Sequence, residues 1–362
     1  MPPLSPDSTP VEPGADVAAC RQLLRTGSRT FYAASFLLPR PVREPASALY
    51  AFCRVSDDAA DVGTDCHAAL ARMRERLAAV YEGRPRANPI DRAFADVVER
   101  YAIPRALPEG LFEGFEWDLE GRRYDDLAAL ETYAVRVAGT VGAMMALIMG
   151  VRSSPLVARA TDLGVAMQFS NIVRDVGEDA RNGRVYLPLH WLAEAGIDVE
   201  RWLAKPAPSE SLSLVVSRLL HAAADSYARA DPAIDHLPRG CQPGIRAARL
   251  LYAEIGHEVE RQNLDSVSRR AVVPRWRKAS LLAQAVSPGA FAPGRTAVPP
   301  IDAARFIIDA VAQAGPWQPS QCLMGADVPP PWWNLGARVS RVIDLFERLE
   351  QREAMERADG RS

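Results

Sequence analysis

The stretch Gln168-Phe-Ser-Asn-Ile-Val-Arg-Asp-Val-Gly-Glu-Asp179 decides how the rest of the chain is read. Gln168, Asn171, Asp175 and Asp179 stand three, four and four residues apart. On an α-helix that spacing sets two amides and two carboxylates along one stripe. Phe169, Ile172, Val173 and Val176 fall on the opposite side. An oxygen-rich stripe directly after the apolar run Leu163 to Met167 is poor material for a packed core. It is good material for the wall of a cavity that holds cations and a diphosphate. The plainer alternative is an amphipathic helix with a solvated polar face.

A second acidic stretch lies upstream, Tyr50-Ala-Phe-Cys-Arg-Val-Ser-Asp-Asp-Ala-Ala-Asp61. Asp57 and Asp61 are four apart, so both carboxylates leave one helical face. Like charges at that spacing destabilise an isolated helix, and a divalent cation between them reverses the sign. Magnesium takes oxygen ligands, commonly one or two carboxylates together with substrate phosphates. Arg54, one turn before Asp57, is placed to support the site or reach a phosphate. Two facing helices that each present DxxxD would hold several cations and, through them, a diphosphate leaving group whose developing charge is neutralised without proton transfer. The carbocation left behind must be kept from water. Val137 to Leu147 offers an apolar wall, with Gly139 and Gly142 expected to let a long chain lie close to the backbone.

The remaining pattern is helical. The chain has 362 residues, 48% apolar and 24% charged, with a net charge of -2. That is the composition of a folded protein with a sizeable core, without the basic excess of a nucleic-acid binder. Apolar periodicity predicts helices over roughly 16–35, 41–62, 66–82, 89–102, 108–121, 127–150, 154–177, 189–196, 210–230, 241–264, 274–286, 301–313 and 336–357, and no sustained strand alternation. This divides the chain into a disordered tail (1–14), a catalytic unit (15–286), a Pro/Gly-rich extension (287–335) and a C-terminal amphipathic helix (336–362). Five cysteines, Cys20, Cys53, Cys66, Cys241 and Cys322, include no CxxC pair. An odd, scattered set argues against a disulfide framework and suits a reducing cytosol. Residues 1–14 have no signal-peptide core, and the longest nearly apolar run, Val137 to Val151, is too short to span a bilayer. P-loop, GxSxG and HExxH motifs are absent from the sequence, and its five histidines do not cluster.

At this point the chain resembles the squalene and phytoene synthase family. The resemblance runs from about Cys20 to Lys278. It rests on Ser28-Arg-Thr-Phe-Tyr32 with Leu37-Leu-Pro39, on Tyr50-Ala-Phe-Cys-Arg54 with Asp57 and Asp61, and on Val137-Ala-Gly-Thr-Val-Gly142. It continues through Asn171 to Asp179 with Gly183-Arg-Val-Tyr-Leu-Pro188, and ends in Ser268-Arg-Arg-Ala-Val-Val-Pro-Arg-Trp-Arg-Lys278. The bacterial phytoene synthases of that family are the nearest in pattern. The resemblance implies the all-α isoprenoid synthase fold, a helical bundle around a central cavity. It implies head-to-head joining of two geranylgeranyl diphosphates through prephytoene diphosphate to phytoene, as in carotenoid biosynthesis, with Mg2+ (or Mn2+) and without NADPH, because the sequence of steps ends in proton loss.

Residue roles follow from the same resemblance. Asp57, Asp61, Asn171, Asp175 and Asp179 would hold metal and diphosphate, with Gln168 on the same wall. Arg54, Arg174 and Arg270 (or Arg269, one register away) would contact diphosphate oxygens. Ser28, Phe31, Tyr50, Tyr133, Tyr186 and Tyr252 match family positions near the flap and cavity, where aromatic faces can stabilise a passing cation; ordinary core packing is the alternative for each. Ser35 stands where relatives often carry a large side chain, which bears on substrate length. Squalene or dehydrosqualene formation from farnesyl diphosphate is the neighbouring possibility. A one-substrate terpene cyclase is disfavoured by the DxxxD form of the second motif, and a non-catalytic relative by the intact acids. Delivery of an apolar product suggests a peripheral membrane contact, through the 336–357 stripe or Trp332-Trp333.

Overall fold

Runs with apolar residues three and four apart, punctuated by Pro and Gly, fold here into helices alone. The computed structural model describes residues 14–61, 66–286, 296, 298–315 and 317, without the side chains of residues 29, 59–61, 66 and 67; no strand occurs among the described residues. In chain order the helices are α1 (Ala15–Gly27), α2 (Arg29–Ser35), α3 (Arg40–Asp61), α4 (Cys66–Tyr81), α5 (Pro89–Arg100), α6 (Ala106–Leu119), α7 (Leu127–Ala134) and α8 (Thr140–Ile148). They continue with α9 (Ser154–Arg181), α10 (Leu189–Glu194), α11 (Val199–Ala204), α12 (Glu210–Ile234), α13 (Gln242–Arg261), α14 (Arg275–Ala285) and α15 (Arg305–Gln313). A π-helical turn, Val135–Gly139, joins α7 to α8, and a 3₁₀ turn, Asp302–Ala304, leads into α15.

Helix α9 is the axis of the bundle. It packs along α12 and takes α8, the π turn and α13 around it. Pro155 lies in its first turn, where the missing N–H has no intrahelical partner to lose. Helix α8 crosses α9 at small residues. A Cβ on Gly142 would collide with the carbonyl oxygen of Ala160, and one on Gly164 with that of Ala138. A Cβ on Gly139 would come within 2.8 Å of Thr161 Cγ2. The bare faces of Gly139 and Gly142 are therefore turned to α9. They shorten a helix–helix distance and do not admit a prenyl chain, which corrects the expectation for these two positions. Elsewhere the core is aromatic: Phe52 of α3 stacks on Phe94 of α5 (centroids 3.8 Å apart) and on Phe112 of α6 (5.8 Å).

The expected helices lie within a few residues of the observed ones, with four differences. The span 16–35 breaks at Ser28, which is extended (φ -149°, ψ 101°) and accepts the Phe31 N–H at 3.3 Å, so it caps α2. The span 127–150 is interrupted by the π turn, an inserted residue that periodicity does not reveal. Helix α9 runs on to Arg181, and within it the Gly177 N–H bonds outward to the Ser266 carbonyl at 3.0 Å. The short α11, capped by Asp198 through the Arg201 N–H, was not expected.

The described part of the Pro/Gly-rich extension packs on the bundle. Ile307 and Val311 of α15 are buried, and α15 lies against α6 and α9. Phe306 sits under the Arg136 guanidinium (4.1 Å), and Trp317 Nε1 donates to the Arg100 carbonyl at 2.8 Å. The expected N-terminal tail, apart from Gly14, Cys322, Trp332-Trp333 and the 336–357 helix lie outside the described residues.

Candidate active site

Partial exposure marks out a cleft. On α9 from Ala160 onward, otherwise mostly buried, the partly exposed positions are Ala160, Leu163, Met167, Gln168, Asn171, Arg174, Asp175 and Asp179. That helical spacing makes one stripe, apolar at first and polar beyond Gln168. On α3 the same class of position recurs at Ala46, Tyr50, Cys53 and Asp57, and Val137, Val141 and Met145 repeat it across the π turn and α8. Three partly open stripes on helices buried elsewhere are candidate walls for a cleft, apolar along their length and polar at one end.

Helix α3 brings Arg54, Asp57 and Asp58 to that end. Arg54 pairs with Asp58 (2.7 Å) and stands 3.7 Å from Asp57. The backbone of Asp61 closes α3, and its side chain is outside the described set. Tyr50, one turn earlier, reaches the bare face of Gly27 with its hydroxyl. Phe31 lies edge-on to Tyr50 (6.3 Å) and stacks on Tyr252 (5.0 Å), so α2, α3 and α13 meet in an aromatic cluster. Burial pushes the Tyr252 phenol up, with Arg174 opposing and the fields of Tyr50 and Asp175 adding to it. The cluster therefore touches both acidic motifs.

The second motif lies on the last turns of α9. Asp175 accepts four hydrogen bonds: from Arg174 Nε (2.8 Å) and Nη2 (2.5 Å), and from Arg270 Nε (2.7 Å) and Nη2 (3.1 Å). Burial alone would raise its pKa, but these two forks hold the carboxyl below the usual range. Of the two neighbouring arginines, Arg270 is the one bonded to Asp175. Asp179 is the opposite case. Burial, then the charge of Asp175, push it up to about 7; Arg184 opposes, and Glu178 and Asp118 add to the rise. Asn171 donates weakly to Gln168 Oε1 (3.5 Å), keeping the two amides together.

Asp118, at the end of α6, is the residue that sequence reasoning missed. Tyr186 donates to its Oδ1 (2.7 Å) and Tyr133 to its Oδ2 (2.9 Å). Burial raises it to about 6 against those hydrogen bonds and Arg184, with Asp57 adding to the rise. Asp118 thus feels Asp57 of α3, and Asp179 of α9 feels Asp118. It stands between the two motifs. Tyr133 and Tyr186 stack on each other (5.2 Å), with Tyr124 against Tyr133 (5.1 Å). Tyr133 is 3% exposed, so it serves as a buried donor to Asp118 and shows no open face to a cavity. A signal existed: an aspartate among buried Leu111, Phe112, Phe115 and Trp117 requires partners.

A family model described as squalene/phytoene synthase matches residues 24–277, most of the chain and all of these positions. The chain belongs to the squalene/phytoene synthase family. Within that family it is 48% identical to the phytoene synthase of Cereibacter sphaeroides over 319 residues, covering 83% of this chain and 89% of that one. It is 52% identical to the phytoene synthase of Rhodobacter capsulatus over 272 residues, covering 74% and 80%. Among solved structures, a dehydrosqualene synthase bound to a ligand superposes with a TM-score of 0.68 at 28% identity, covering 75% of this chain and 95% of that one. The all-α isoprenoid synthase fold expected from the motifs is the one observed.

The donor set fits a divalent cation shared with a phosphate. Among the described residues no three carboxylates, thiols or imidazoles already form a cage. Asp179 and Asp118 are instead destabilised as anions, chiefly by burial, with Asp175, Glu178 and Asp118 adding at Asp179 and Asp57 adding at Asp118. Hard oxygen donors carrying excess negative charge, few in number, are what magnesium uses when phosphate supplies the remaining ligands.

Proposed function

We propose that this chain is a prenyltransferase of the phytoene synthase type, joining two geranylgeranyl diphosphates head to head in carotenoid biosynthesis. One substrate ionises at the bond from C1 to diphosphate oxygen, and the electron pair leaves with the diphosphate. The second substrate's double bond attacks and a proton is lost, giving prephytoene diphosphate. A second ionisation, rearrangement and proton loss give phytoene and a second diphosphate. The observation that carries this reading is the high identity to two phytoene synthases over a span that holds both acidic motifs.

The roles of individual residues are part of the proposal. Asp57, Asp61, Asn171, Asp175 and Asp179 would hold Mg2+, which when bound neutralises the diphosphate as it leaves; Mn2+ accepts the same hard donors. Arg174 and Arg270, now gripping Asp175, carry forks that suit diphosphate oxygens, and Arg54 faces the same end from α3. Phe31, Tyr50 and Tyr252 present aromatic faces beside the reacting carbons, where a cation is stabilised without offering it a nucleophile. Ser28 caps the helix that carries Phe31. The apolar stripes through Leu163, Met167, Val141 and Met145 keep water from the cation. Ser35 follows Phe31 by one turn, is buried, and spends its hydroxyl on the Tyr32 carbonyl (2.7 Å).

Incubation with Mg2+ and geranylgeranyl diphosphate, and separately with farnesyl diphosphate, tests the reading by mass spectrometry of the hydrocarbon. A forty-carbon phytoene from the former is expected. A thirty-carbon product alone would give the chain the substrate length named by its dehydrosqualene synthase neighbour. A contact with the membrane that receives so apolar a product is part of this reading. Among the described residues no helix is long and apolar enough to cross a bilayer.

A further inference from the structure

The large apolar side chains most open to solvent among the described residues are Leu214, Val272, Trp276 and Val298. Two of these four, Val272 (67% exposed) and Trp276 (70%), fall within five residues of each other. Their outward direction is fixed by their neighbours. Ala271 and Val273 on either side of Val272 are buried, so the extended segment alternates and turns Val272 out. Pro274 then starts α14, whose Leu281, Leu282 and Ala285 are buried in a cluster with Leu250 and Leu251 of α13, leaving Trp276 in the first turn facing away.

The charge within the segment itself is one-sided. Residues 269–278 contain Arg269, Arg270, Arg275, Arg277 and Lys278 and no acid, in a chain of net charge -2. Arg270 is matched by Asp175 and Arg277 by Glu254. Glu178 stands 3.5 Å from Arg270, and Asp265, which burial would raise, is held down by the Ser268 and Val267 N–H groups and by Arg269. Arg269 and Arg275 are exposed on the same segment as Val272 and Trp276.

We propose that Val272 and Trp276, flanked by Arg269 and Arg275, form the surface by which this protein rests on an anionic bilayer. An indole settles at the headgroup level, guanidinium groups meet lipid phosphates, and a single aliphatic side chain enters the acyl boundary. Two apolar side chains are too small a patch for a stable protein partner, which needs about 1,000 Å² of buried surface. A bilayer asks only for shallow insertion plus charge. The same segment supplies Arg270 to Asp175, so the polar end of the cleft would lie at the membrane surface, where an amphiphilic diphosphate presents its headgroup. The inference rests on the proposed function for the reason a bilayer is needed, and places the contact on 269–276 instead of the C-terminal stripe.

The test is flotation of the full chain with phosphatidylcholine vesicles, with and without phosphatidylglycerol. Wild type is expected to float with the anionic vesicles and to lose most of that binding in high salt. The double variant V272S/W276S should bind more than about tenfold more weakly, since burial of one isopropyl group alone accounts for about that factor. A charge variant, R269E/R275E, should lose the preference for anionic lipid. Both variants should turn over detergent-dispersed substrate at the wild-type rate, which shows them folded. Wild type remaining in the lower fraction with anionic vesicles, or V272S/W276S floating as wild type does, would overturn the proposal. Phytoene from the detergent assay without flotation removes the membrane surface and leaves the proposed function standing; flotation without phytoene does the reverse.

Discussion

Burial is the main cause that raises the Asp179 and Asp118 carboxyls, with Asp175, Glu178 and Asp118 adding at the first and Asp57 at the second. Their folded pKa values, about 7 and about 6, lie above the ordinary carboxylate value near 4. Each therefore adds stability that is complete below about pH 4 and is lost as pH rises through about 6 to 7. The metal-free protein should melt at a lower temperature at pH 8 than at pH 5.5, and Asp179→Asn should flatten that slope. Mg2+ should raise the melting temperature more at pH 8 than at pH 6, because the proton competes for the same oxygen. A magnesium shift that is equal at both pH values would remove Asp179 from the metal site. Asp118 calls for a different probe. Asp118→Asn keeps one acceptor for the two tyrosine hydroxyls and cannot carry charge between the motifs; turnover is expected to fall about 10- to 100-fold, the effect of losing a group that orients ligands. Asp118→Leu strands both hydroxyls and should also lower stability by about 1–3 kcal/mol for each buried group left unmet.

At the scale of elements, α9 does two jobs that its sequence shows unequally. The spacing of Gln168, Asn171, Asp175 and Asp179 is visible because helical periodicity maps directly onto a face. The crossing partners are not, since nothing in the spacing says that Gly164 meets Ala138 or that Gly177 meets Val267. Glycine in mid-helix reads only as a weak point until the second backbone is seen. Ser28 was hidden for a related reason: a cap inside a helical pattern is recognised by its dihedral angles. Gly177→Ala would drive a Cβ into the Val267 carbonyl and push away the segment that delivers Arg270 to Asp175. Its turnover should fall toward that of Arg270→Ala, with far-UV circular dichroism unchanged. Gly164→Ala, far from that segment, should instead lower stability by about 1–3 kcal/mol, as overpacking does, in a denaturant titration. Loss of turnover in G177A without any loss in R270A would show that the contact with Asp175 is not what the glycine protects.

At the scale of the molecule, the family match ends at residue 277, yet the packed body continues past it. The Pro- and Gly-rich composition of 287–335 reads as a loop-rich extension because composition reports local breaks and says nothing of what a short helix between them touches. Helix α15 buries Ile307 and Val311 against the bundle, Phe306 lies against Gly110 of α6 and under Arg136, and Arg136 donates to Glu113 at 2.6 Å. Arg136 belongs to the π turn whose next residue, Val137, stands in the apolar wall of the cleft. Arg136 thus links the extension to the cleft wall. If it folds as part of the bundle, Ile307→Ala should lower the stability of the whole protein by about 2–4 kcal/mol and keep one cooperative transition, because a cavity in a shared core is felt by every element around it. If it is an appendage, the same substitution would split the unfolding curve or leave the main transition where it was. Urea titrations followed by far-UV circular dichroism and by the fluorescence difference between the protein and its Trp317→Phe variant distinguish the two, since that difference isolates Trp317 among the seven tryptophans and the helical signal reports on the bundle. Coincident curves that shift together are the expected result.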